Sequence, residues 1–356
     1  MKKLFLLLLL GPLLSSCSFV NLERQIYPIC ISVDATDDGR FLLAIQAPRS
    51  SGTGSDSASY DIVSATGETL QEALRLLSAS TPYPLNFSQI RLCIIGYRLA
   101  STTPLRPLLR VLMEQPTMRP TAYVSIALGR GLDVLQNQQP DFGMRLSTHL
   151  TLLLDRLRQE SILPDSTLSA CVRELSDGRC DLLIGLCAVN QRLVKQEESA
   201  GQDSSGQDGG GSSPAFAPGQ PGQQELLPQN VLAGMMNHTS PNPVEYLGSA
   251  AVSEGRVSGV LTADETQLAL RLLNESQRRV ARHGEELQLQ IVLKQKSDLA
   301  LETQRVEQLV QKLQVLDSDA LLFGGICAMG FSTNAQWDAY GFRSRYHQAG
   351  VAVTVE

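Results

Sequence analysis

At 356 residues the chain is long enough for two or three domains, and 43% hydrophobic with 19% charged residues is the balance of a folded, water-facing protein. With 36 acidic against 30 basic side chains the net charge is −6. That balance weighs against a nucleic-acid partner, which needs a basic surface, and there is no polybasic run for an anionic membrane.

The chain begins with Lys2 and Lys3, followed by an apolar run over 4–14 broken only by Gly11 and Pro12. A transmembrane helix needs about 20 apolar residues, so this run is too short to span, and residues 1–17 are expected to be a signal peptide. Leu14-Ser15-Ser16-Cys17 resembles a bacterial lipobox. Small residues before the cut admit the peptidase, and the cysteine sulfur accepts a diacylglyceryl group. Cys17 is therefore the expected lipid-attachment residue, and two acyl chains hold a protein to a bilayer where one does not. Later apolar stretches, 182–189 and 320–331, are also too short to span.

The next elements alternate. Strands are expected over 29–33 and 41–46 around a turn at Asp37-Asp38-Gly39, and again over 60–64 after the Gly/Ser-rich 50–59. Leu70, Ala73, Leu74 and Leu77 have the spacing of a core-facing helix that stops before Pro82. Strand 90–96, helix 104–113, strand 121–128 and helix 142–160 follow, the pattern of a mixed sheet covered by helices. Beyond Pro164, strands over 168–175 and 180–189 are expected to form a hairpin about Asp177-Gly178. Residues 196–226 are dominated by Gly, Ser, Pro and Gln, with no Lys or Arg. They are expected to be a disordered insertion, because too few apolar groups are present to offset the entropy of ordering.

Structure is expected to resume with a hairpin over 248–252 and 256–260, turning at Glu254-Gly255. Thr262 with Glu265 has capping-box spacing, starting a helix that reads as far as about 280. Alternating Leu287, Leu289, Ile291 and Leu293 predict a strand. Val306, Leu309, Val310 and Leu313 mark one face of a helix over 299–316, and Val351, Val353 and Val355 mark a closing strand.

Chemistry-bearing residues are sparse. Cys30, Cys93 and Cys187 fall in apolar strands, where a free thiol acts as a small hydrophobe. Cys171 and Cys180 either pair across the expected hairpin or stay free, which spacing does not decide. His149, His238, His283 and His347 lack metal-ligand spacing. No nucleophile elbow or P-loop occurs. Asp34, Asp37 and Asp38 read as a solvated turn rather than a calcium loop, Gly129-Arg130-Gly131 as a turn, and Trp337 as a core residue. No catalytic residue, cofactor or metal is expected.

The order of these pieces resembles the Ger(x)C family, the GerAC-like lipoprotein subunits of spore germinant receptors. The resemblance rests on Asn21-Leu22-Glu23-Arg24 after the lipid cysteine, Val33-Asp34, and Ala44-Ile45-Gln46-Ala47-Pro48. The block over 60–73, with Tyr60-Asp61-Ile62 and Gly67-Glu68-Thr69-Leu70, is its most recognisable part. Asn86-Phe87-Ser88, Ile94-Ile95-Gly96, Gly248-Ser249-Ala250-Ala251-Val252, Gly259-Val260-Leu261, Glu265-Thr266, Asp319-Ala320 and Trp337 continue it. Ser253 and Val260 stand where that family usually has aromatic residues, and its tryptophan after the lipid cysteine is absent.

The resemblance implies an α+β, lipid-anchored, three-domain protein of mixed sheets with packed helices. The expected divisions are 1–17 signal peptide, 18–160 N-terminal α/β domain, 161–265 strand-rich middle domain carrying the insertion 196–226, and 266–356 C-terminal α+β domain. It further implies a non-enzymatic subunit outside the spore inner membrane, acting with integral membrane A and B subunits to trigger germination. The alternative is a solute-binding lipoprotein of a transporter, which needs two similar lobes; the chain shows no internal repeat. A cell-wall hydrolase would need paired carboxylates or a metal, and neither is visible.

Overall fold

The computed structural model describes residues 24–49, 60–190, 242–283, 286–295, 298 and 302–356. The expected signal peptide 1–17, Cys17 and the insertion 196–226 lie outside the described residues.

β1 (Cys30–Ala35), β2 (Phe41–Pro48) and β3 (Tyr60–Gly67) form an antiparallel meander. The first reversal is the expected one: Gly39 takes φ +80°, and the Thr36 amide donates to the Arg40 carbonyl. α1 (Leu70–Ala79) buries Leu70, Ala73, Leu74 and Leu77, the stripe read from spacing, and its Thr69 cap accepts from the Glu72 amide. β4 (Leu92–Gly96), α2 (Tyr97–Thr102), α3 (Leu105–Met113), β5 (Tyr123–Ala127), α4 (Gly131–Asn137), α5 (Leu146–Gln159), α6 (Leu168–Asp177) and β6 (Leu183–Val189) follow. β7 (Val244–Ser253) and β8 (Arg256–Leu261) complete an eight-stranded sheet ordered β3-β2-β1-β4-β5-β6-β7-β8.

The centre of this sheet, β1-β4-β5-β6, is parallel, and antiparallel hairpins flank it at both edges. Parallel strands are buried on both faces and read as unbroken apolar runs. β4 does so, with all five residues buried. One face carries α1, α2, α3 and α6 over Ile31, Ile95 and Ile126; the other carries α4 and α5 over Ile94, Ala127 and Cys187.

α7 (Ala263–Glu275) leads to β9 (Gln277–His283), β10 (Glu286–Leu293), α8 (Thr303–Val315), α9 (Phe323–Ala328), α10 (Asn334–Tyr340), α11 (Phe342–Tyr346) and β11 (Gly350–Val355). The second sheet is ordered β11-β10-β9, with β11 parallel and β9 antiparallel to β10. Its buried leucines and isoleucine pack with α7, α8 and α9, and Leu183, Ala251 and Leu261 of the large sheet join the same core. Two mixed sheets with packed helices therefore make a mixed α+β fold.

Several expectations need correction. Residues 168–175 are not a strand of a hairpin but most of α6, whose Leu168 and Cys171 are buried. Gly178 at φ +67° is the left-handed stop of that helix rather than a hairpin turn. Cys171 and Cys180 accordingly do not face one another across strands, and both are free thiols. The helix from Thr262 ends at Glu275, and 277–283 form a strand because Val280 pairs opposite Leu289 of β10. The helix expected over 142–160 begins at Leu146, after Phe142 and Gly143, both at positive φ.

The strands of the segment 161–265 pair onto those of 18–160 through β5 and β6, with Ser125 opposite Gly185, so backbone pairing does not separate the two. Residues 265 and 266 both lie within α7. The Glu254-Gly255 turn is as expected: both residues have positive φ, as a two-residue hairpin requires. The Thr262–Glu265 capping box is formed.

Candidate functional site

The densest charge constellation lies where the two sheets meet, and four separate segments build it. Asp181 stands just before β6, Ser253 and Glu254 turn β7 into β8, Asp317 and Asp319 lie between α8 and α9, and Arg343 projects from α11. The Nη2 of Arg343 donates to both Asp181 oxygens at 3.0 and 2.9 Å, while its Nη1 donates to Ser253 Oγ and the Asp317 carbonyl, each at 2.9 Å. Asp181 also accepts from the amides of Glu254 and Asp319. Asp319 accepts from the amides of Phe323 and Gly324 at 2.9 and 2.5 Å, opening α9. Burial pushes the Asp319 carboxyl up to about 7, against the pull of those two amides, and burial likewise raises Asp181 despite its amide and Arg343 contacts.

This cluster joins the two sheets. Every carboxylate in it is engaged by backbone amides or by one guanidinium. Ser318, beside it, is fully buried and donates to the Val252 carbonyl of β7. The Gly325 amide donates to Cys180 Sγ at 3.0 Å.

A second feature is a cleft of about 250 Å³ at the starting ends of β4 and β5, roofed by α5. Arg91, Arg119 and Arg158 line it with Asp155, Asp165 and the α5 leucines Leu150 and Leu154. The Tyr123 hydroxyl donates to Asp155 Oδ1 at 2.8 Å, and burial together with that carboxylate pushes the phenol up to about 12.

Of the residues singled out from sequence, Asp34 differs most from expectation. Asp37 and Asp38 are exposed in their turn, but Asp34 is buried at the end of β1. It accepts from the amides of Gly131 and Leu132 at 2.7 and 2.9 Å, so Gly129-Arg130-Gly131 is the entry to α4 and not merely a turn. A β-carbon at Gly96 would stand 2.1 Å from Asp34 Oδ1, which explains glycine there. Trp337 is half-buried at the margin of the C-terminal core, stacked on Phe342 at 5.5 Å. His149 is buried in α5, and burial lowers its pKa; His347 lies 3.0 Å from Asp317. No group of three His, Cys, Asp or Glu able to hold a metal occurs among the described residues.

Cys30, Cys93 and Cys187 are fully buried in β1, β4 and β6. Burial raises all three thiols, Cys93 and Cys187 to about 12, so they stay protonated and unreactive. Among the described residues no helix is long and apolar enough to cross a membrane.

Asp34 and Asp319 carry the largest carboxyl shifts, with Asp181 moved the same way and His149 lowered by burial in opposition. Burial raises Asp34 and Asp319 above an ordinary carboxyl, to about 6 and about 7, with Asp133 and Asp181 adding to the effect and Arg130 and Arg343 opposing it. A carboxyl raised on folding takes up protons, so its contribution is fully present below the unfolded value near 4 and is lost as pH climbs through the folded value. The urea midpoint should therefore be higher at about pH 5 than at about pH 8. A midpoint that rises over that interval would contradict the assignment.

Residues 18–189 match the family described as the spore germination protein N-terminal domain. No curated protein matches the chain. A solved structure described as the crystal structure of the GerBC protein is similar over 91% of this chain and 95% of that one, with 11% sequence identity and a TM-score of 0.48.

Proposed function

We propose that the chain is a GerAC-like spore germination protein, on the match of residues 18–189 to that family's N-terminal domain, and that it is the lipid-anchored, non-enzymatic C subunit of a nutrient germinant receptor. The family match is the observation that carries the reading. In it, Cys17 becomes the first residue of the mature protein and holds two acyl chains in the outer face of the spore inner membrane. The folded body then works beside the integral membrane A and B subunits in triggering germination.

A binding rather than catalytic role is supported by how the reactive groups are used. The strand thiols are buried and protonated, and the joint's carboxylates are spent on backbone amides and Arg343.

Co-purification tests the reading. A C-terminally tagged chain, extracted from spore membranes in mild detergent, should bring two multi-pass subunits with it. Recovery alone, or with the ATPase of a transporter, would refute the receptor assignment. Cys17→Ala should move the protein from the membrane to the soluble fraction with its thermal midpoint unchanged. Undiminished membrane attachment in that variant would refute the anchor.

A further inference from the structure

The cleft between α5 and the starts of β4 and β5 distributes its charges unevenly. Its two carboxylates are engaged: Asp155 by the Tyr123 hydroxyl at 2.8 Å, and Asp165 by Arg158 at 3.9 Å. Its other two guanidiniums have no carboxylate within ion-pair distance among the described residues. Arg119 spends its Nε on Thr121 Oγ1 at 2.8 Å, leaving the ends of the fork. The Arg91 guanidinium donates from Nη2 to Gln89 Oε1 at 3.5 Å, and its Nε is buried with no hydrogen-bond partner among the described residues.

A buried donor left without an acceptor is destabilising, the more so when charged. In a protein of net charge −6, carboxylates were available to pair these arginines, and none does. Guanidinium forks match the paired oxygens of carboxylates and phosphates. Leu150 and Leu154 of α5 add an apolar wall to the cleft. Its volume of about 250 Å³ lies just under the ~300 Å³ at which pockets for drug-sized ligands begin.

We propose that this cleft binds a small oxyanion, held by Arg91 and Arg119 beside the Leu150–Leu154 wall of α5. The assignment is independent of the receptor reading, because binding is measured on the isolated chain. The same chemistry has two possible sources, a soluble anion or the phosphate of a lipid headgroup, and the experiment separates them.

The full-length lipidated chain in mild detergent is titrated calorimetrically with inorganic phosphate and, separately, with citrate. At least one should bind saturably. Arg119→Gln should weaken that binding at least ~10-fold, about 1.4 kcal/mol, with an unchanged thermal midpoint. Arg91→Lys keeps the charge but not the fork, and should weaken it by a smaller factor. Phosphatidylglycerol vesicles that displace the probe from the parent chain, but leave no cleft-dependent binding in Arg119→Gln, assign the headgroup; failure to displace assigns the soluble anion. Absence of saturable binding of both probes to the parent chain overturns the proposal, as does binding that Arg119→Gln and Arg91→Lys both leave untouched.

Discussion

Arg343→Ala should lower the free energy of unfolding by about 3 kcal/mol, the lower end of the range for removing one partner of a buried ion pair. The loss goes beyond one salt bridge. Asp181 is 5% exposed and would keep its amide contacts with Glu254 and Asp319 while losing its only cation. Burial already raises its carboxyl, and loss of Arg343, which lowers it, would raise it further. Ser253 and the Asp317 carbonyl would lose their donor as well. The lower end of the range is appropriate because the arginine is itself 32% exposed, and water replaces part of what is removed. Urea unfolding measures the effect. A change under about 1 kcal/mol, the value of a surface pair, would mean that the joint is solvated. Pairing Arg343→Met with Asp181→Leu should recover much of the loss, because an apolar pair of similar volume is often no worse than a buried ionic one.

Gly324→Ala should cost about 3 kcal/mol, the upper end for inserting atoms into a packed interior. An added β-carbon would stand 2.1 Å from the Arg179 carbonyl oxygen and 2.9 Å from Asp319 Oδ2. The first of these is backbone and cannot rotate away, so α9 must back off from the segment before β6 and loosen the amide contact that Asp319 makes at 2.5 Å. Gly325 provides the control. Its β-carbon would meet only Cys180 Sγ, at 3.0 Å, and Gly325→Ala should cost less. Equal losses at the two positions would show that backbone entropy, not the close approach, sets the effect.

The two regions were not equally legible from the chain. The α1 stripe, the Glu254-Gly255 turn and the Thr262–Glu265 capping box are local devices with their own spacing, and they appear in the structure where the spacing puts them. α6 was not legible in the same way, because Asp177-Gly178 suits both a hairpin turn and a helix stop. Both demand a positive φ at glycine, and only the packing of Leu168 and Cys171 under the sheet selects the helix. Asp34 was hidden because its partners lie 97 and 98 residues away. The joint had almost no local signature, since Asp181, Ser253, Asp319 and Arg343 meet only after both sheets have formed. The one hint in the chain was an aspartate directly beside an apolar run at each of positions 181 and 319.

The way β6 hands over to β7 has a last consequence. The two strands are antiparallel neighbours, Val189 opposite Val244, and just beyond them the Asn190 amide donates to the Pro243 carbonyl at 2.7 Å. Residues 190 and 243 are therefore hydrogen-bonded neighbours at the end of this strand pair, although 52 positions separate them in the chain. A chain cut there becomes two polypeptides whose halves share one continuous sheet and the Asp181–Arg343 clasp. This junction is therefore the natural place to join two independently expressed halves.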